Sequence, residues 1–181
     1  INREAVKPTR NDLAIIDEVY AYNIIARELY AKYKPFKSKI LLTKNYEFER
    51  SNHTHFTNLL SLVTVNKIVH KLVKSYKQSK YKGPTIEERQ ELYQCSKEFW
   101  DFAIDKIPEY KKYFLGKLEL EKVRNQEKGK PLNLLFLPAG QKLIANMYLK
   151  YSRSSELEIL GNKISKIDFE LNNGYFKNIY F

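Results

Sequence analysis

The chain has 181 residues, 43% of them hydrophobic and 14% aromatic, which is enough apolar material for a core and excludes a disordered basic tail. Its 32 Lys and Arg outweigh 21 Asp and Glu, and the formal charge of +11 favours encounters with polyanions. The lone Cys95 excludes an internal disulfide and a multi-cysteine zinc site, and fits a reducing, cytoplasmic setting; no apolar run approaches the ~20 residues of a membrane span.

Six prolines and six glycines in a background of Leu, Ile, Lys, Glu and Tyr favour helices on short connections. Residues 1–10 are polar and basic, with Pro8 opposing helix, and read as an extended arm. Asn11 or Asp12 offers a cap. Apolar positions Ile15, Val19, Tyr22, Ala26, Leu29 and Tyr33 then predict one amphipathic helix over 13–33, ended by Pro35. Ile40-Leu41-Leu42-Thr43 reads as a strand or an irregular crossing. Ser51, Asn52 and Thr54 offer caps for a second long helix with the stripe Phe56, Leu59, Leu62, Val65, Val69, Leu72 and Tyr76. Its far end carries Lys71, Lys74, Lys77, Lys80 and Lys82, which suits the negative end of a helix dipole.

Gly83-Pro84 breaks the chain, and Thr85 with Glu88 forms a capping box. The helix beyond it buries Leu92, Cys95, Phe99, Trp100 and Phe102, and Pro108 stops or kinks it. Residues 110–124 predict a shorter helix and 125–133 a loop. Leu134-Leu135-Phe136-Leu137 is a buried run, and Pro138 opens a helix with Leu143, Ile144, Met147, Tyr148 and Tyr151 inside. Ser154 or Ser155 starts a short helix ending at Gly161. Residues 163–181 read as a strand, a turn at Asn172-Asn173-Gly174 and a docking aromatic segment. The expectation is a mainly α, single helical domain of five or six helices with two or three short strands: arm 1–10, core 11–164, tail 165–181. The start at Ile1 and the aromatic end suggest a fragment of a longer chain.

No catalytic motif stands out, and the chain is expected to be non-enzymatic, with no cofactor and no metal site. His53 and His55 form an H-x-H pair, read as surface or cap histidines rather than ligands. Cys95 lies on an apolar helix face, the setting of a buried hydrophobe rather than a nucleophile. Asp168 and Glu170 alternate as nuclease carboxylates do, yet no lysine follows at the matching spacing. The cations carry the functional signal. Arg3, Lys7 and Arg10 line the arm; Lys34, Lys37, Lys39 and Lys44 follow the first helix; Lys71, Lys74, Lys77, Lys80 and Lys82 close the second. Cations at such spacing contact phosphates without reading sequence. Tyr76 and Tyr81 among the lysines, with Tyr30 and Tyr33 before them, can stack unpaired bases.

Several segments resemble the DGQHR-domain proteins, the group that includes DndB-like proteins of DNA sulfur modification. Asn2-Arg3, the step Lys7-Pro8-Thr9 and the helix through Ala26-Arg27-Glu28-Leu29 fall in that group's order. So do the run from Phe56 to Leu62, Phe99-Trp100, Arg124, the run from Leu134 to Gly140, and the closing run from Asn172 to Ile179. The DGQHR motif itself is absent, so no role tied to it carries over. The resemblance implies a bacterial DNA-binding transcriptional regulator associated with DNA phosphorothioation or phage defence. Its expected partners are duplex DNA through the phosphate backbone, and a second copy or a defence-system protein, with no membrane. The alternatives are a protein-interaction or oligomerisation domain and, third, a metal-dependent nuclease.

Overall fold

A computed structural model of the chain describes residues 8–42, 53–124, 132–154 and 156–171. Among these, seven α-helices and a two-stranded parallel sheet make a mainly α domain, as expected, with two more helices than the lower count anticipated. Arg3, Lys7, Lys44, Ser51, Asn52, Ser155, the tail from Asn172 and nearly all of the 125–133 loop lie outside the described residues.

The expected first helix is two. Helix α1 spans Arg10–Ile16, and its N-cap is Thr9, whose hydroxyl accepts from the Asp12 amide while the Asp12 carboxylate accepts from Thr9 N. Asp12 thus closes the capping box rather than capping, and Arg10 begins the helix rather than extending an arm. At Asp17 the side chain accepts from the amides of Val19 and Tyr20 and from Asn23 Nδ2. This local bonding competes with helix and turns the chain. Helix α2 then runs Ala21–Lys32. Arg27 fastens the corner, donating to the carbonyls of Ala14 and Asp17 and pairing with Glu18. Ile15, placed in the buried stripe by periodicity, is exposed because the stripe restarts after the break.

Strand β1, Ile40–Leu41, pairs in parallel with β2, Thr57–Asn58. The strand reading of Ile40 therefore holds, but Thr57 and Asn58, read as helix, supply its partner. The cap of α3 (Leu59–Val69) is Asn58, which accepts from Ser61 N at 2.8 Å, so the helix starts later than the Ser51, Asn52 and Thr54 caps implied. It passes through a 3₁₀ turn at His70–Leu72 and ends there, short of Tyr76.

The Thr85–Glu88 capping box forms as read and opens α4, Ile86–Lys106. Phe99 and Trp100 are buried there, whereas Cys95 and Phe102 are half-buried. Pro108 opens α5, Pro108–Phe114. The helix expected over 110–124 stops at Phe114 because the chain turns at Gly116 with φ near 72°, a backbone state glycine tolerates. Leu120–Lys122 makes a 3₁₀ turn instead. Leu134–Phe136 is a buried 3₁₀ turn, and Pro138 opens α6, Pro138–Arg153. A methyl group on Gly140 would lie 2.0 Å from the Leu134 carbonyl oxygen, so only glycine lets α6 pack on that turn. Leu143 is exposed rather than inside. Helix α7, Leu157–Ile164, continues past Gly161, whose missing side chain admits the Lys106 stem. Asn133 bridges Glu170, and Leu171 N donates to Leu132 O, tying the end of the described chain to the turn before α6.

Helix α3 is the axis of the fold, packed by α2, α4 and α6. Most of its residues are buried, as befits a central helix. Its one solvent-facing stripe carries half-buried Leu60 and exposed Thr64 and Lys67, and the stripe continues into Lys71. On its other side the core is aromatic: Phe56 touches Phe36, Trp100, Tyr110, Tyr113, Phe114 and Phe136.

Candidate nucleic-acid interface

The stripe of α3 opens onto two adjoining hollows. The first, of about 360 Å³, lies between α1, the start of α2 and α3, with Arg10, Tyr20, Tyr22, Asn58, Thr64 and Lys67 among its walls. The second, of about 480 Å³, is bounded by Tyr22, Lys67, Lys71, Lys74, Tyr76 and Lys77. Tyr22 and Lys67 belong to both and form the ridge between them. The Lys67 ammonium sits 4.3 Å from the centre of the Tyr22 ring, and Tyr20 stacks on Tyr22 at 5.2 Å and 15°. Burial lowers the Lys67 pKa, and the nearby Arg10 charge lowers it further. Burial, then the neighbouring Tyr20, Asp17 and Tyr76, push the Tyr22 hydroxyl up to about 12. An arrangement of cations held close together on partly desolvated ground favours an anion.

Of the lysines expected to close this helix, Lys71 lies in its final 3₁₀ turn, but Lys74, Lys77, Lys80 and Lys82 do not end a helix. They ride an extended segment, 73–84, that folds back over the α1–α2 corner. Gln78 fastens it there. Its Oε1 accepts from Ala21 N at 3.0 Å and from the Tyr76 hydroxyl at 2.7 Å, and its Nε2 donates to Val19 O at 3.1 Å. Gly83 lets the segment pass, because a methyl group there would lie 2.5 Å from the Glu18 carbonyl oxygen. The helix dipole argument therefore fails for Lys74, Lys77, Lys80 and Lys82, and tertiary hydrogen bonding places them instead.

The predicted cations divide into groups. Arg10, Lys71, Lys74 and Lys77 converge on the hollows, joined by Lys67. Lys80 and Lys82 are exposed next to them in sequence, beside a Tyr81 that is 93% exposed, but they line neither hollow. Lys34 and Lys37 sit at the far end of α2, whose 12 residues put about 18 Å between its ends. Lys39 lies over the Tyr113 ring at 4.6 Å, on the aromatic-core side. No carboxylate among the described residues makes an ion pair with Lys67, Lys71, Lys74 or Lys77. Of the acids close by, Asp17 is engaged by backbone amides and Asn23, and Glu88 by Thr85 N.

Lys67, Tyr20 and Gln78 escaped the reading of the sequence. Lys67 had a signal, since it stands one helical turn before Lys71. Tyr22, expected in the buried stripe, packs half-buried against the core and also lines both hollows. Of the tyrosines expected before the lysines, Tyr30 is exposed, whereas Tyr33 is buried with its hydroxyl donating to Asp101, so it belongs to the stripe and not to a stacking surface.

Beneath the ridge runs a buried polar chain. Asn66 Nδ2 donates to the Tyr22 carbonyl, so Oδ1 faces Ser96 and accepts its hydroxyl proton; the Ser96 oxygen in turn accepts from His70 Nε2 at 3.0 Å. His70 is neutral, with its pKa driven down to about 4 by burial. It is a core residue, not part of a metal set with exposed His53 and half-buried His55. No group of three or more His, Cys, Asp or Glu among the described residues is placed to hold a metal ion. Asp168 and Glu170 are exposed, and Asp168 Oδ1 accepts from Glu170 N. Burial raises the Cys95 thiol to about 11, and it donates to the Val69 carbonyl, the state of an inert thiol.

No protein-family model, no curated protein and no solved structure matches the chain. No helix among the described residues is long and apolar enough to cross a membrane.

Proposed function

We propose that the chain binds DNA by its phosphates, as a non-enzymatic, cytoplasmic, DndB-like regulator associated with DNA phosphorothioation or phage defence. The observation that carries the binding is the gathering of Arg10, Lys67, Lys71, Lys74 and Lys77 around two joined hollows, brought from three separate segments. The resemblance to DGQHR-domain proteins supplies the biological setting. Phosphate binding needs cations converging on one surface and asks little else of the protein. The test is a duplex titration followed by fluorescence anisotropy across a salt series. Five phosphate contacts predict a slope of log K against log salt of about −4.5. The variant K71E/K74E/K77E should flatten it by about 3. A salt-independent affinity, or a slope untouched by that variant, overturns the reading.

A second reading, a docking domain for a partner protein, draws on α1, where Leu13, Ile15 and 63%-exposed Ile16 face solvent. Self-association abolished by I16E, with DNA binding unchanged, would favour it.

A further inference from the structure

We infer that the two hollows select unpaired nucleotides over duplex, with bases seated against Tyr20 and Tyr76 and the intervening phosphate on the Lys67 ridge. This rests on the phosphate-binding reading and narrows it. A duplex presents its phosphates on a convex surface and keeps its base faces stacked within. Cations that serve it need only a flat or gently curved face. Here they rim concavities instead. The Tyr22–Lys67 ridge separates two spaces, each with a tyrosine in its wall: Tyr20 in the first, Tyr76 in the second. Each hollow falls within the size range that holds a small organic group. Polar side chains help line the first, with Thr64 exposed and Asn58 and Ser61 buried. A π-face beside a cation is what a sequence-tolerant single-strand site requires.

The platforms are held in place before any ligand arrives. Tyr20 is fixed on Tyr22 by stacking, and its amide is bonded to Asp17. Tyr76 is fixed through its hydroxyl to Gln78, which is itself bonded to the start of α2. Little conformational freedom is then left to lose on binding, which favours affinity. The ridge is suited to an anion because Lys67 lines both hollows and stands with Arg10 in the first and with Lys71, Lys74 and Lys77 in the second.

The experiment compares a fluorescein-labelled oligothymidylate of about a dozen nucleotides with a duplex of equal length, on the full chain at matched salt. The single strand should bind roughly tenfold more tightly. Tyr20→Ala should weaken single-strand binding about fivefold or more and leave duplex binding within about twofold. Tyr20→Phe should keep the wild-type preference. If Y20A lowers the melting temperature, Tyr20→Leu retains apolar bulk without the ring and gives the same readout. Equal affinity for the two DNAs, or tighter duplex binding, overturns the inference and leaves phosphate binding standing. Loss of neither on K71E/K74E/K77E sinks the phosphate reading itself. Polyglutamate of matched charge that displaces the oligothymidylate as well as unlabelled oligothymidylate does would overturn both in favour of an acidic protein partner.

Discussion

Cations meet aromatic rings at two places in this molecule, with opposite outcomes. Around Phe56 the rings close on one another and Arg124 is fully buried among them. Its guanidinium donates to the carbonyls of Phe136, His55 and Phe56, stitching β2 to the turn before α6. Burial lowers its pKa to about 10, so it remains charged at neutral pH. Around Tyr22 the rings are half open, and Lys67, Lys71, Lys74 and Lys77 keep their ammonium groups at the surface. One cation is consumed by the backbone and holds structure; the others remain available to a ligand. Residue type does not distinguish these fates. The number of carbonyls within reach, and the depth at which the cation sits, do.

The largest expected effect falls on the buried side. Arg124→Met keeps the bulk but leaves three carbonyl oxygens without their donor. Unpartnered buried groups cost about 1–3 kcal/mol each, so the variant should lose at least about 3 kcal/mol in urea unfolding at neutral pH. The fraction that still folds should bind DNA as the wild type does. A loss below about 1 kcal/mol would mean that the clamp is incidental and that the contrast between the two regions is overdrawn.

His70 stands on the boundary, under the Tyr22 ridge and bonded into the core. In the unfolded chain it titrates near 6.5, in the folded chain near 4. Between those values the unfolded state holds the extra proton, so stability is present in full above about 6.5 and declines as the pH falls towards 4. The shift corresponds to up to about 3 kcal/mol. His70→Gln should flatten this limb of the curve of unfolding free energy against pH, whatever its own baseline stability. An unchanged slope would show that acidic destabilisation comes from carboxylates elsewhere.

How much of this was readable from the residues varies by kind. Capping and punctuation were legible because they are local: Thr85 with Glu88, Pro108 and Pro138 each act within one turn of themselves. The mainly α class followed from periodicity. The break at Asp17 was not legible, because an apolar stripe runs across it and the side chain that interrupts the helix looks like any exposed acid. Arg124 could be named in a loose motif but not recognised as buried, since its partners lie 12 and 68 or 69 positions away. The basic cluster was half legible. Charge counting found Arg10, Lys71, Lys74 and Lys77, yet their convergence depends on a fold-back that only Gln78 and Gly83 make possible. Lys34 and Lys37 carry the same charge but sit at the far end of α2 and line neither hollow.

Gln78 sharpens the contrast from the exposed side. Gln78→Ala removes the acceptor for Ala21 N and the donor to Val19 O at a partly exposed site. The expected cost is about 1–2 kcal/mol of stability. Binding should weaken several-fold, because the lysine segment must then be ordered by the ligand. The salt slope should stay as it was, since no charge is lost. A slope that falls as it does for a lysine substitution would mean that Gln78 contacts the nucleic acid directly rather than placing the lysines.

The smallest effect is the one that isolates the site. Lys34→Glu/Lys37→Glu changes the formal charge by four units, more than any single reversal at the hollows, yet both positions lie beyond the far end of α2. About 18 Å exceeds the Debye length of about 8 Å at physiological salt, so their field at the Tyr22 ridge is largely screened. Both residues are exposed and neither makes an ion pair with a described carboxylate, so stability should move by no more than about 0.5 kcal/mol. Affinity at physiological salt should change by less than about twofold, with the salt slope unaltered. At low salt the Debye length grows to about 30 Å and the same variant should bind measurably more weakly. That crossover is what distinguishes a localised site from a globally attractive surface. If the double reversal weakens binding at physiological salt as much as K74E/K77E does, the polyanion wraps the whole length of α2 and the two hollows are only one part of its track.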